Sequence, residues 1–270
     1  MLAHGGELRV IWHGPIITAV KSACAHDCSS RPCESPLDTP GVAEDLRCAV
    51  WLRWHGGIGV FVQTCIKGIN GIDSAEAEAI LNGRGIQCNW WRDVHRISPD
   101  EINERLTSAN LDLHINSYGE PHPVLPGQVS KETPFISLTA GCVERSVFLK
   151  TNFVHPAHRT ALWFASDFGK LRGECFLFYC WVVVALTPAV EISHLAEEVR
   201  ELNTYRRYSA FQTEGEIVAK IEVSARQIHR YEHYRISGGS REMPTFSLED
   251  VTVNPLYVDP YSIANIREAF

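Results

Sequence analysis

The sequence predicts a mixed α+β fold, because residues 135–221 contain both segments with a helical period and apolar segments of strand length. Pro156–Gly169 has apolar residues at helical spacing and ends at a glycine, where helices commonly stop. Cys175–Leu186 is an unbroken apolar run rich in aromatic and β-branched residues, which is typical of a strand buried on both faces. Phe135–Thr139 and Glu216–Ile221 are further apolar segments that we expect to be strands.

The first part of the chain has a different character. Residues 1–85 contain short apolar pieces between glycines and prolines, and no helical period of useful length. We therefore expect an N-terminal segment of uncertain structure over residues 1–85 and a single domain over residues 86–270. Three cysteines in the first segment lack the second pair of a zinc site, so free thiols are favoured and no metal site is predicted there; they are Cys24, Cys28 and Cys33.

Composition limits the possible partners. The chain has 270 residues, of which 45% are hydrophobic and 21% charged, and its net charge is -7. A negative balance argues against nonspecific binding of nucleic acid, which requires a basic face. Met1–Ile17 is interrupted by charged residues and does not read as a secretory signal, and no apolar run reaches the roughly 20 residues of a membrane-spanning helix. We expect no nucleic-acid or membrane partner, and a cytosolic site of action.

A pair of acids marks the start of one predicted strand. Glu214 and Glu216 lie two residues apart, where a polar stretch meets the apolar segment that begins at Ile217. In an extended chain residues i and i+2 share a face, so both carboxylates can point into one cleft. Acids at alternate positions are also common on the solvated face of an edge strand, and this segment alone does not exclude that interpretation.

Two motifs upstream favour the cleft. Arg92 follows two tryptophans, Arg96 precedes Pro-Asp-Glu-Ile at Pro99–Ile102, and Phe135–Thr139 reads Phe-Ile-Ser-Leu-Thr. The order of aromatic-Arg, aromatic-x-Ser-x-Thr strand and Glu-x-Glu resembles that of mono-ADP-ribosyltransferases of the Arg-Ser-Glu class. The first motif is similar to a run in the catalytic subunits of cholera toxin and heat-labile enterotoxin, with one extra residue before the proline; pierisin-like domains belong to the same class. The resemblance covers about residues 88–232.

The resemblance implies a fold and a substrate. Members of the class are built from two mainly antiparallel sheets that face each other, with NAD in the cleft between them and helices alongside. On that basis we expect Arg92, Ser137 and Glu216 to come from three different strands and to line a single concave site, because one NAD molecule must contact all three.

The chemistry of NAD cleavage gives each residue a role. Breaking the nicotinamide–ribose bond builds positive charge on the ribose, and a buried carboxylate such as Glu216 lowers that barrier. The Ser137 hydroxyl can hold the carboxylate by a hydrogen bond, with Thr139 as support on the same face of the strand. A guanidinium matches pyrophosphate oxygens with paired donors, which we assign to Arg92, with Arg96 as the alternative.

The acceptor is assigned through Glu214. In the resembling class the first acid of the pair meets the acceptor, and a glutamate there accompanies arginine as the target, so a protein or small molecule with an arginine side chain is favoured. Three classes of function remain open: an ADP-ribosyltransferase, an NAD glycohydrolase of the same fold that transfers the ribosyl group to water, and a non-catalytic binding domain. Only the first has a clear use for Glu214.

Overall fold

The computed structural model describes residues 50–51, 61–93, 99–140, 157–167, 174–184, 192–197, 199, 215–239, 244–263 and 266–270. These residues all belong to one compact unit, Asp45–Phe270. Residues 61–85 are therefore part of the same unit as the domain predicted to start at residue 86. The cysteines near the N-terminus, together with Arg96 and Glu214, lie outside the described residues.

The described residues form a seven-stranded antiparallel sheet and a separate two-stranded ladder. The order in the large sheet is β6-β4-β2-β5-β8-β9, with β1 beside β2, and the ladder pairs β3 with β7. The strands are β1 (Val50–Trp51), β2 (Phe61–Asn70), β3 (Ile86–Gln87), β4 (Phe135–Ala140), β5 (Glu174–Val183), β6 (Glu216–Lys220), β7 (Glu222–Val223), β8 (Ile228–Gly239) and β9 (Pro244–Val253).

Short helices connect and cover these strands. Asp73 begins the first of them by accepting from the Glu76 N–H at 2.8 Å, and Thr107 begins the fourth by accepting from the Asn110 N–H at 3.2 Å. The helices are α1 (Ser74–Ala79), followed by a wide turn at Ile80–Arg84, α2 (Asn89–Asp93), α3 (Pro99–Arg105), α4 (Ser108–Asn116), α5 (Val129–Glu132) and α6 (Ala157–Ala165), with single 3-10 turns at Ile192–His194, Ala225–Gln227 and Ile266–Ala269.

The structure confirms the mixed α+β class and its antiparallel pairing. The helix expected within 156–169 is α6, and the buried strand expected at 175–186 is β5, which is buried along all but its first residue. Among the described residues the second sheet is the ladder of the two-residue strands β3 and β7, and the expected pair of facing sheets stays a prediction.

The two faces of the large sheet are covered by different elements. Alternate side chains of β4, β5 and β6 pack on one face, here called the first face, together with α1, β3 and α2. The opposite or second face packs against α6 through β2 and β5, and against α4 through Phe135 and Val218. At Gly68 strand β2 approaches α6 so closely that a Cβ atom would stand 2.2 Å from the Ala161 carbonyl oxygen.

Arg92 lies in helix α2, so the expectation that it ends a strand is wrong. Strand β3 stops at Gln87, and the Cys88 sulfur then accepts a hydrogen bond from the Trp91 N–H at 3.3 Å, as a cap does at the start of a helix. The adjacent Trp90 is buried in the core of the first face. Two consecutive tryptophans are compatible with either a short strand or one helical turn, which is why the pattern misled.

Four cysteines of the described chain are free and buried: Cys65, Cys88, Cys175 and Cys180. Burial raises the pKa of the Cys175 thiol to about 11 and that of the Cys180 thiol to about 12. Both therefore behave as small core residues of β5. No described helix is long and apolar enough to cross a membrane. Within the described ranges, no group of three or more histidines, cysteines or acids could hold a metal ion.

Candidate functional site

Glu216 is the first residue of β6 and lies opposite Thr139 of β4, while Ser137 pairs with Val218. Ser137 and Glu216 are therefore diagonal neighbours on the second face of the sheet. The Glu216 side chain is buried, with an exposure of 8%, and Thr139 is buried beside it. The structure thus brings together three of the residues singled out in the sequence.

The Glu216 carboxylate accepts a hydrogen bond from the Ser137 hydroxyl. Burial raises the pKa of Glu216, because a charged carboxylate is poorly solvated there. Two groups oppose this effect and lower the pKa, namely the Ser137 hydrogen bond and the positive charge of Lys67. A buried carboxyl with a raised pKa and a specific charge partner is a candidate functional group.

Behind Ser137 lies a histidine that the sequence analysis did not identify. His114 of α4 is almost fully buried, with its Nε2 atom 2.8 Å from the Ser137 Oγ atom and its Nδ1 atom 2.8 Å from the Thr133 Oγ1 atom. Burial, with a smaller contribution from the charge of Lys67, lowers the pKa of His114 to about 3. The imidazole is therefore neutral at physiological pH.

The direction of the hydrogen bonds that link Thr133, His114, Ser137 and Glu216 follows from the charge of Glu216. In the state with Glu216 ionised, its carboxylate can only accept, so the Ser137 O–H donates to it and the Ser137 oxygen accepts the Nε2–H of His114. The remaining Nδ1 lone pair then accepts from the Thr133 hydroxyl, whose oxygen accepts from the Phe135 N–H at 3.2 Å. We call this set, from Thr133 through His114 and Ser137 to Glu216, the Glu216 network. With Glu216 ionised, the network requires the neutral Nε2–H tautomer of the histidine.

Lys67 of β2 contacts the backbone of Ser137 from the neighbouring strand. The β2–β4 ladder contains only the pairs Cys65–Ala140 and Ile66–Thr139, whereas β2 pairs with β5 over its length from Val62. Just beyond the end of the short ladder, the Ser137 carbonyl oxygen accepts a hydrogen bond from the Lys67 ammonium at 3.0 Å.

Helix α2, which carries the predicted Arg92, contacts this region through the side chain of Asn89. Asn89, in the first turn of α2, donates to the Tyr118 hydroxyl at 3.1 Å and to the Ser130 carbonyl at 2.7 Å. The Tyr118 ring packs edge-on against His114, with 5.4 Å between ring centroids. Helix α2 therefore lies near the Glu216 network, while the Arg92 side chain is not among those described.

Gly215, between the two acids, changes the argument about their common face. Its φ is +60°, in the left-handed region, and its carbonyl accepts from the Ala140 N–H at 2.9 Å. Strand β6 begins at Glu216, and Gly215 before it is not extended, so the argument from an extended chain does not apply across this glycine and the common face of the two acids stays a prediction. Glu214 itself lies outside the described residues.

His114 and Lys67 were missed for different reasons. The signal for His114 was a histidine next to the buried Leu111 and Ile115 of an amphipathic helix, where a polar residue needs partners. Lys67 lies between the apolar Ile66 and Ile69 of β2, in a part of the chain for which no strand was predicted. A lysine in a central strand is rare without a partner, and that was the available signal.

The second face carries another buried acid, Glu232 of β8. Its Oε2 atom accepts from the hydroxyls of Tyr179 and Tyr234 at 2.7 Å each, and its Oε1 atom accepts from the Arg230 Nε–H at 3.1 Å. Burial acts to raise the pKa of Glu232, but the hydrogen bonds of His158, Tyr179 and Tyr234 and the charge of Arg230 outweigh it and lower the pKa to about 2. These five residues are called the Glu232 network.

Comparison with known proteins gives limited information. No protein-family model matches the chain, and no curated protein sequence matches it. Among solved structures, the chain is similar to EcPltA, with 12% identity, a TM-score of 0.39, and coverage of 73% of this chain and 89% of that one. It is also similar to full-length CARDS toxin, with 12% identity, a TM-score of 0.39, and coverage of 76% of this chain and 30% of that one. Function is therefore argued from the side chains of the site.

Proposed function

We propose that this chain is a mono-ADP-ribosyltransferase, which cleaves NAD at the nicotinamide–ribose bond and transfers ADP-ribose to an acceptor, with arginine favoured. The observation that carries the proposal is the contact between Glu216 and Ser137 on adjacent strands of one buried face. These are the residue types, in the chain order, that the resemblance to the Arg-Ser-Glu class assigns to NAD cleavage. Their hydrogen bond supports the roles proposed for them.

The proposed reaction uses the negative charge of Glu216. As the bond between ribose C1′ and the nicotinamide nitrogen breaks, nicotinamide leaves with the electron pair and positive charge develops on the ribose ring. A fixed carboxylate in a poorly solvated position stabilises that charge more than one in water would. An acceptor nitrogen then bonds to C1′ and loses a proton. Ser137 keeps the carboxylate in one orientation, and His114 keeps Ser137 in one orientation.

The other predicted residues remain proposals. Arg92 is proposed to bind the pyrophosphate of NAD, with Arg96 as the alternative, and the nearness of α2 to His114 through Asn89 and Tyr118 supports this placement. Glu214 is proposed to orient the acceptor guanidinium and receive its proton. Thr139, buried opposite Glu216, is proposed as a packing support for the carboxylate.

The test is incubation with NAD labelled in its adenylate part, together with either a cell lysate or agmatine as an arginine mimic. We expect label on protein and on agmatine, and Glu216→Gln is expected to reduce both about a hundredfold or more, because it removes the charge while keeping the shape. A matched control is Glu222→Gln, since Glu222 is another carboxyl whose pKa is raised by burial but it lies on β7, outside the site.

Each outcome of this experiment distinguishes one class of function. Free ADP-ribose and nicotinamide without labelled acceptor would identify an NAD glycohydrolase. Label on lysate proteins but not on agmatine would show that the acceptor is not arginine. No consumption of NAD under any condition would contradict the proposal and leave a binding domain.

A further inference from the structure

We propose that Asn89 and Arg105 are positioning residues for α2, the helix that carries Arg92. Both connect α2 to α5, the single helical turn that leads into Thr133 of the Glu216 network. The inference rests on the proposed function for its effect on NAD binding, but not for its effect on α2 itself. Neither residue belongs to the three motifs of the sequence analysis.

Arg105, the last residue of α3, makes the first connection. Its guanidinium lies over the Trp90 ring of α2, with 4.5 Å between the Cζ atom and the ring centroid. Its Nη1 atom donates to the carbonyl oxygen and to the carboxylate of Glu132 in α5, at 3.0 Å each. The two side chains of this ion pair are 22% and 23% exposed, so the pair is largely shielded from water. Arg105 therefore holds the indole of α2 at a fixed place beside α5.

Asn89, the residue before Trp90, makes the second connection. Its side-chain nitrogen donates one hydrogen to the Ser130 carbonyl oxygen of α5 at 2.7 Å and the other to the Tyr118 hydroxyl at 3.1 Å. Both hydrogens of the amide therefore have acceptors. The Tyr118 ring packs in turn against His114. Asn89 thus connects α2 to α5 and, through Tyr118, to the histidine of the Glu216 network.

These contacts matter because α2 is too short to keep its place alone. It has five residues, and helices below about 12 residues depend on packing for their stability. Trp90 packs in the core of the first face, whereas Asn89 reaches the network on the second face. Arg92 follows Trp90 by two residues, so a shift of α2 changes the distance from Arg92 to Glu216. A misplacement of about 1 Å can cost about a hundredfold in rate.

The experiment uses Asn89→Ala, which removes both donors, Arg105→Gln, which removes the cation, and Arg105→Lys, which keeps the charge but not the planar group. Arg84→Gln is the matched control, because Arg84 also ends a helical segment but donates to the Glu76 carbonyl oxygen of α1. Amide hydrogen exchange by NMR reports the order of α2, including the Trp91 N–H that bonds to the Cys88 sulfur. Calorimetry measures binding of NAD, ADP and adenosine.

We expect the α2 amides to exchange about tenfold faster in Asn89→Ala and Arg105→Gln, with a smaller change in Arg105→Lys and none in Arg84→Gln. NAD and ADP should bind about tenfold more weakly to the first two variants, whereas adenosine, which lacks the pyrophosphate, should bind as it does to the wild-type protein. In an Arg92→Ala background the same two substitutions should weaken NAD binding no further, because they act through that arginine.

The proposal is overturned if α2 exchange is unchanged in both variants. An equal weakening of adenosine, or a further loss of NAD binding in the Arg92→Ala background, would show a general structural role and would also overturn it. If Arg105→Gln does not fold, Arg105→Lys and Asn89→Ala decide the outcome. If α2 exchange rises as expected but the wild-type protein neither binds nor cleaves NAD, the proposed function fails while the assignment of Asn89 and Arg105 to the positioning of α2 stands.

Discussion

The two buried glutamates of the second face, Glu216 and Glu232, have similar surroundings and opposite pKa shifts. Each carboxylate receives a hydroxyl that in turn contacts a histidine: Ser137 and His114 for the first, Tyr234 and His158 for the second. The pKa of Glu216 is raised, whereas that of Glu232 is lowered to about 2. The histidine–hydroxyl chain alone therefore does not decide whether a buried acid is ionised.

The difference lies in the additional donors. Glu232 also accepts from the Tyr179 hydroxyl and from the guanidinium of Arg230, which lies over the Tyr179 ring at 4.0 Å from its centroid. These contacts satisfy both carboxylate oxygens, as a structural ion pair requires. For Glu216 the Ser137 hydroxyl and the charge of Lys67 do not offset the effect of burial, so its pKa stays raised.

Removing the charge of Glu232 should have the largest effect on stability. Glu232→Gln leaves Arg230 as a buried cation without its carboxylate, so we expect a loss of about 3–5 kcal/mol in the free energy of unfolding. Chemical denaturation of the variant and the wild-type protein measures this loss in the free energy of unfolding. Because the pKa of Glu232 is lowered from 4.5 to about 2, its ionised contacts stabilise the fold above about pH 4.5, and this contribution disappears as the pH falls towards 2. If Glu232→Gln lost as much free energy of unfolding at pH 2 as at pH 7, Glu232 would not be the ionised structural carboxylate described here.

Removing a single donor from the same carboxylate should have a smaller effect. Tyr179→Phe and Tyr234→Phe each delete one hydrogen bond to the Oε2 atom of Glu232, and we expect a loss of about 1.5–3 kcal/mol for each. Tyr231→Phe is the matched control, because Tyr231 lies on the same strand as Tyr234 but packs in the core of the first face. Thermal unfolding of the three variants would show whether the effect is confined to the Glu232 network.

Glu216→Gln should stabilise the fold. A raised pKa means that ionised Glu216 opposes folding, so we expect a gain of about 0.5–2 kcal/mol at neutral pH together with the loss of turnover. The gain should be absent below the unfolded pKa and grow as the pH rises through the folded pKa. Denaturant titrations at several pH values measure this dependence. A variant that loses stability at neutral pH would show that Glu216 is a structural acid like Glu232.

The protonation state and tautomer of His114 should be visible by NMR. With a pKa of about 3, the ring should remain neutral and protonated on Nε2 from pH 8 down to about pH 4. Long-range nitrogen–proton NMR spectra distinguish this tautomer from the other tautomer and from imidazolium, and His114→Asn assigns the signal. Because the unfolded histidine binds a proton below about pH 6.5, its burial destabilises the fold as the pH falls from there. An imidazolium signal at pH 5 would refute the assignment of His114 as a neutral ring that donates from Nε2 to Ser137.

The sequence predicted the elements that carry the Glu216–Ser137 contact but not the elements around it. Strands with continuous apolar runs are recognised locally, so β4, β5 and β6 could be predicted, and their pairing places Ser137 near Glu216. The contact of His114 with Ser137 joins residues 23 apart in the chain, and that of Lys67 with Ser137 joins residues 70 apart. Such contacts depend on packing of whole elements, which local periodicity does not encode.

Sequence alone also could not show how the surroundings of Glu216 and Glu232 differ. Glu232 stands in the strand segment Arg-Tyr-Glu-His-Tyr-Arg, and only the partners that β5 and α6 bring to it show that its carboxylate belongs to a buried network. For Arg92 the pattern was too short to distinguish strand from helix. A glycine between the two acids is visible in the sequence, but its left-handed conformation, which interrupts the extended chain there, required the backbone geometry.

The buried thiols of β5 make the opening of the sheet measurable. Cys175 and Cys180 are shielded and have raised pKa values, so alkylating reagents should modify them only when the strand leaves its neighbours. Peptide-resolved mass spectrometry of their alkylation, followed over time, would report the opening equilibrium of the central strand separately from the rest of the chain. The same trace, recorded with and without NAD, would show whether substrate binding restrains that motion.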